Sequence, residues 1–204
     1  VNCANATADA TISGIEFTVL DSMNMQLIKS PGADSLKTDI TLFPGVNNVV
    51  PMTFAFQSFE VAQKLKGSVS YIKTMQSGGS TAGNLDFAFE FPPSSFVVAV
   101  PCTATDFAAI CGGPTAHSAA KFTSTSSFTD AVSAIMGLLH VSLVDASPSA
   151  VSLYGRSVHN HHVALLVKDL GSGNMSIDCK CSDAGLGSQL VDEVVAHFDL
   201  QVMS

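Results

Sequence analysis

Up to about Pro101, apolar residues alternate with polar ones; beyond it they recur at three- and four-residue intervals. Ile15, Phe17 and Val19 alternate with Glu16, Thr18 and Leu20, the period of a strand with one buried face. The SPGADS cluster at 30–35 reads as a turn, because Pro presets φ while Gly and Asp tolerate unusual dihedrals. An extended segment at 35–42 follows, then a second turn at 43–48. Residues 49–56 alternate again, with Phe54 and Phe56 on one side, and 66–72 is a further strand candidate. The QSGGSTAGN stretch at 76–84 is a flexible loop by composition. Residues 85–91 then set Leu85, Phe87, Phe89 and Phe91 against Asp86, Ala88 and Glu90. Short strands at this spacing, punctuated by turns, predict a β-sandwich.

The second half carries helical periods. Residues 105–111 predict a short helix. Ser127 opens a longer one: its hydroxyl can accept from an early backbone N–H, and Asp130 sits where the positive helix end favours a carboxylate. Phe128, Ala131, Val132, Ile135, Met136 and Leu139 form one stripe, weakened slightly by Gly137. Strands follow at 140–145, 151–158 and 162–169, and 174–181 pairs with the last over Gly171-Ser172-Gly173. A final helix spans 187–199, with Leu190, Val191, Val194, Val195 and Phe198 inward and Asp192 and Glu193 outward. This half is α+β, an antiparallel sheet with helices on one face. The hydrophobic period changes near residues 92–101, dividing the chain into a sandwich at 1–98 and an α+β lobe at 99–204.

Composition narrows the function. The chain has 204 residues, of which 47% are hydrophobic and only 13% charged. Globular domains average about 25% charged. Ser, Thr, Asn and Gly must therefore fill most exposed positions, a surface suited to weak protein–protein contacts. A net charge of −8 provides no basic stripe for phosphates, so nucleic acid is not an expected partner. Lys64, Lys66 and Lys73 read as one solvated strand face. No apolar run approaches the roughly 18 residues that cross a bilayer. The opening VNCANATADA lacks the basic and apolar parts of a signal peptide. The five cysteines, an odd and scattered set, argue for a reducing compartment rather than a disulfide framework. On that reading the glycosylation-like triplets at Asn5 and Asn174 are coincidental.

Three constellations invite chemistry. His159-Asn160-His161-His162 and Cys179-Lys180-Cys181 suggest a metal, but in strands His159 and His161 point away from His162, and Cys-x-Cys along a strand is not the usual turn-borne zinc spacing. Buried thiols and edge histidines are the better reading, and no metal or other cofactor is expected. Surface histidines could sense pH, although none has a carboxylate partner evident in the sequence. There is no Gly-x-Ser-x-Gly elbow. Cys102 with a histidine would make a cysteine hydrolase in principle, but Cys102 follows a Val-rich strand, where a small buried residue fits. No catalytic residue is expected. An extracellular adhesion sandwich is the alternative from another class, and it requires disulfides.

The segments Ser152-Leu153-Tyr154-Gly155-Arg156-Ser157-Val158, His161-His162-Val163-Ala164-Leu165-Leu166-Val167-Lys168 and Lys180-Cys181-Ser182-Asp183, with the helix at 190–198, carry a resemblance. So does Phe17-Thr18-Val19-Leu20-Asp21-Ser22 with Asn24. Together they resemble the appendage, or ear, of the delta subunit of adaptor protein complex 3. The resemblance is weakest at 76–84 and 112–126. It implies an immunoglobulin-like β-sandwich followed by a platform of antiparallel sheet and helices. It also implies a non-enzymatic module of a heterotetrameric vesicle coat adaptor, acting on the cytosolic face of Golgi and endosomal membranes in transport toward lysosomes. Accessory, tethering or regulatory proteins, bound through short peptide motifs, and other subunits of the complex are the implied partners. Membrane association would be peripheral, through the complex. Related ear platforms centre their pocket on Trp, and this chain has none, so no pocket residue carries over. Tyr154 and Phe198 are either aromatic anchors or core. Arg156, the sole arginine, is either a contact hot spot or paired with Asp183 or Asp178. The candidate protein-binding residues are Tyr154, Arg156, His159, His161 and Lys168.

Overall fold

In the computed structural model, residues 1–20, 24–57 and 63–202 are described, the side chains of 63, 201 and 202 excepted. Asp21 and Ser22 of the strand motif lie outside this set. The chain divides into two compact units, Val1–Phe91 and Pro92–Ser204.

The first unit is a β-sandwich. Its strands are β1 (Asn2–Ala4), β2 (Ala10–Leu20), β3 (Met25–Leu27), β4 (Leu36–Lys37), β5 (Asn47–Val49), β6 (Phe54–Phe56), β7 (Gln63–Met75) and β8 (Ser80–Phe91). The main sheet has the order β4-β2-β7-β8, and β3-β6 and β1-β5 form two smaller antiparallel pairs. The alternation seen in the sequence decides the inner face: Ile15, Phe17 and Val19 are buried, packed with Leu42 and Val50 at one end and with Met25, Leu27 and Leu65 at the other. A bulge in β2 between Ser13 and Glu16 lets the strand bend, with Gly14 supplying a φ of 59°. Asn5, the first residue of a glycosylation-like triplet, is buried, and its Nδ2 donates to the carbonyls of Ala10 and Leu42 at 2.8 and 2.9 Å.

Three expectations fail in this unit, one of them the strand expected at 49–56, which is interrupted at 50–53 between β5 and β6. Most of the loop expected at 76–84 is strand, because β8 begins at Ser80 and pairs with β7 through Thr74↔Ser80 and Tyr71↔Gly83. The small residues there serve packing: a Cβ on Gly83 would fall 2.3 Å from the Tyr71 ring. The segment at 35–42 forms only a two-residue strand.

The second unit starts with a 3-10 turn at Pro93–Phe96 and continues through β9 (Val97–Ala99), α1 (Ala104–Gly112), β10 (Ala116–Thr123), α2 (Phe128–Leu139), β11 (Ser142–Ser147), β12 (Ala150–Ser157), β13 (His162–Gly171), β14 (Asn174–Cys181) and α3 (Ala184–Val202). Its antiparallel sheet has the order β10-β14-β13-β12-β11, with β9 added beside β12. Residues 92–98, placed in the first lobe from the sequence, belong here, since Val97 pairs with Ser157 and Val98 with Arg156.

Register fixes two faces. Leu153, Leu165 and Cys179 lie in one row, and Val151, Val167 and Ile177 in another; all are buried. Against this face α3 packs Leu186, Leu190, Val194 and Phe198, and the Phe198 ring stacks on Phe122 at 4.7 Å. Helix α2 buries Ala131, Val132, Ile135 and Leu139 of the stripe read from the sequence, while Phe128 and Met136 are half-buried. Val195 is only half-buried. Glu193, expected to face outward, turns in: its carboxylate accepts from the Ser94 backbone N–H at 2.9 Å and from the Ser94 hydroxyl at 2.6 Å.

Candidate interaction face of the sheet-and-helix lobe

Strand alternation sends Arg156, His162, Ala164, Leu166, Lys168, Asp178, Lys180, His117 and Lys121 to the face opposite α3. Helix α1 lies along part of it. Thr103 caps this helix, its hydroxyl accepting from the Asp106 N–H at 3.1 Å and donating to the Asp106 carboxylate at 2.7 Å. No α1 residue is fully buried, and Phe107, Ile110 and Cys111 are the half-buried positions. Between α1 and the strands runs a groove of about 470 Å³. Phe107, Ala108, Ala164 and Leu166 give it an apolar lining; Lys168, Lys180, His117 and Asp178 give it polar sides.

Two polar clusters organise this face. Asp178 stands between His117 and Lys168: one oxygen is 3.2 Å from His117 Nε2, the other 3.5 Å from Lys168 Nζ. Tyr154, 2% exposed, places its hydroxyl 2.7 Å from His162 Nδ1 and accepts from Arg156 Nε–H at 3.0 Å. The phenol oxygen thus takes part in two hydrogen bonds, one accepted from Arg156 Nε–H and one shared with His162 Nδ1. Burial, and secondarily the Arg156 charge, hold the His162 pKa below its ordinary value. Off this face, Asp183 caps α3 by accepting from the Leu186 N–H at 2.7 Å.

The sequence candidates land in different places. Tyr154 sits inside the lobe and orients Arg156. Phe198 is core. Arg156 is half-buried and is not paired with either expected carboxylate, because Asp178 and Asp183 are engaged as described. His159 and His161 are not on a strand. They occupy the β12–β13 turn, where the Ser157 hydroxyl accepts from both backbone N–H groups at 3.2 and 3.1 Å and Asn160 takes a φ of 64°. Their rings meet edge to face at 6.4 Å. Lys168 lies on the groove. Groove residues Phe107, Leu166, His117 and Lys180 were not singled out from the sequence. The signal that could have found them is the shared parity of Lys168, Lys180 and Arg156, but it becomes readable only once the register is known.

The cysteines are free. Cys179 and Cys181 face the α3 side and are fully buried, and burial pushes both thiols up. They are therefore on the opposite face from His162. Among the described residues, no group of three or more His, Cys, Asp or Glu side chains converges. Cys102 is half-exposed rather than buried, and partial burial together with the Asp106 charge raises its pKa. Among the described residues, no helix is long and apolar enough to cross a membrane.

A β-sandwich followed by an antiparallel sheet-and-helix lobe with one grooved face is the layout of an adaptor appendage. A family model, the AP3 Mu C-terminal domain, matches residues 94–199, just over half of the chain and nearly all of the second unit. The chain belongs to that family and is an AP-3 appendage-type domain. Among curated relatives, AP-3 complex subunit delta-1 of Bos taurus is 36% identical over 192 residues. That match covers 92% of this chain but 16% of the relative, so the chain spans about a sixth of that protein's length.

Proposed function

We propose that the chain is a non-enzymatic interaction appendage of an AP-3 adaptor, corresponding to part of a delta subunit. It recruits accessory, tethering or regulatory proteins through short peptide motifs and contacts other subunits of its own complex. It acts on the cytosolic face of Golgi and endosomal membranes during cargo transport toward lysosomes, held there by the complex. The observation that carries this reading is the coincidence of the family match at 94–199 with a compact sheet-and-helix unit at 92–204. Low charge density and a shallow groove suit weak contacts, which many copies on one coat convert into avidity.

The test removes this segment from the full-length subunit in cells. The truncated subunit is expected to enter its complex but to deliver lysosomal membrane cargo poorly. Normal cargo delivery by an expressed, assembled truncation refutes the reading. A second check concerns the thiols. Titration under denaturing conditions is expected to find five free thiols; disulfides would favour the adhesion module. With its raised pKa, Cys102 is expected to label slowly with iodoacetamide in the folded state. Rapid, selective labelling would favour the hydrolase.

A further inference from the structure

The second unit is acidic, with four basic residues against nine acidic ones over 92–204. All four basic side chains nevertheless belong to the face opposite α3. The cross-strand rows place them: Lys121 and Lys168 flank Ser176; one row along, Asp178 lies beside Leu166; the next sets Lys180 beside Ala164; the last pairs Arg156 with His162. Among the described residues, only Lys168 of the four has a carboxylate within ion-pair distance. On the sheet the face carries two carboxylates, Asp178, already shared between His117 and Lys168, and Asp145 opposite Ser152; α1 adds Asp106, engaged in its cap. Packing sends charged strand residues to this open face, since the buried layer lies on the other side; it does not require that the helices and connections of 92–204 carry no Lys or Arg, so that every cation of an acidic unit gathers here.

From this charge pattern we infer that the groove between α1 and the sheet binds a short acidic peptide segment carrying one large apolar side chain. The inference rests on the appendage reading above. The apolar residue would lie against Phe107 and Leu166, and the carboxylates would face Lys168, Lys180 and Arg156. An anionic bilayer is the less suitable occupant: it is flat and would meet a chain of net charge −8, whereas a groove of about 470 Å³ with an apolar floor accepts a side chain.

The experiment uses the 204-residue chain and a fluorescein-labelled peptide of roughly ten residues, Asp and Glu around one Phe, the usual length of a linear motif. Controls replace Phe by Ser, or the acids by Lys, and phosphatidylserine vesicles form a separate arm. The acidic Phe peptide is expected to bind, to weaken as salt rises, and to lose affinity about tenfold or more in Lys168→Glu/Lys180→Glu and in Phe107→Ala. Amide shifts of the wild-type chain should centre on α1, β13 and β14. Lys180→Glu alone, at a half-exposed position, keeps the test valid if the double variant does not fold. Absence of peptide binding, binding indifferent to charge reversal, shifts centred elsewhere, or vesicle binding through these lysines without peptide binding would overturn the inference. If such a failure accompanies defective cargo delivery by the truncated subunit, the groove assignment falls and the appendage reading stands; normal delivery removes the reading itself.

Discussion

Ser94 is almost wholly buried, and both of its donors end on one carboxylate, that of Glu193, while its carbonyl lies 3.0 Å from His140 Nδ1. Glu193→Ala leaves a buried N–H and hydroxyl without an acceptor, and should cost about 1–2 kcal/mol in urea unfolding, with Glu193→Gln losing less. Sequence periodicity assigned Glu193 to the outside because its position lies off the apolar stripe; the partner that turns it inward is ninety-nine residues away. His162 poses the same problem from the side of charge. Its folded-state pKa lies below the unfolded value, so as pH falls the unfolded chain takes up the proton first. Stability is therefore full above about pH 6.5 and is lost as pH drops through the folded value. In the imidazolium Nδ1 can only donate, so the phenol oxygen would have to accept from both His162 and Arg156. The melting temperature should fall more between about pH 7.5 and pH 5.5 in the wild type than in His162→Gln, which retains the other histidines and so isolates this group.

Among the elements, helix starts were the most legible, because a cap is a local interaction. The Ser127 hydroxyl accepts from the Asp130 N–H at 3.2 Å, as its position predicts. Ser127→Ala is expected to destabilise by about 1 kcal/mol in chemical denaturation. Asn174–Cys181 also matches the strand read from alternation and a Gly-rich turn. Where pairing rather than local pattern decides, the reading failed: Ser80 to Asn84 look like linker but are held by β7. Helix α3 begins earlier than its apolar stripe suggests, because Asp183 caps it three residues upstream of Leu186. Gly187 marks where α3 approaches the sheet most closely: a Cβ there would fall 2.9 Å from the Cys181 Cβ. Gly187→Ala should therefore destabilise by about 1–3 kcal/mol despite the better helix propensity of Ala, read as a lower urea midpoint.

At the scale of the molecule, each unit owns its core. Val163, Leu165, Val167, Ile177, Leu190 and Phe198 all come from 92–204. A fragment of residues 92–204 is expected to unfold cooperatively on heating, with its near-ultraviolet signal intact below the transition. A non-cooperative melt would mean that the division at Phe91 is not a folding boundary. The candidate groove exists only at this scale, since α1, β10, β13 and β14 each contribute a wall.

Sequence alone determined which residues are apolar on strands and helices, where two helices start, and that the chain turns from sandwich to sheet-and-helix near its middle. These follow from short-range periodicity and from capping hydrogen bonds within three residues. Only the tertiary structure decided which strands are neighbours, and therefore that every cation of the second unit shares one face, that Tyr154 is hidden beneath that face's polar network, and that Asp178 rather than Arg156 forms the ion pairs. Cross-strand register joins residues far apart in the chain, and no local pattern encodes a neighbour that distant.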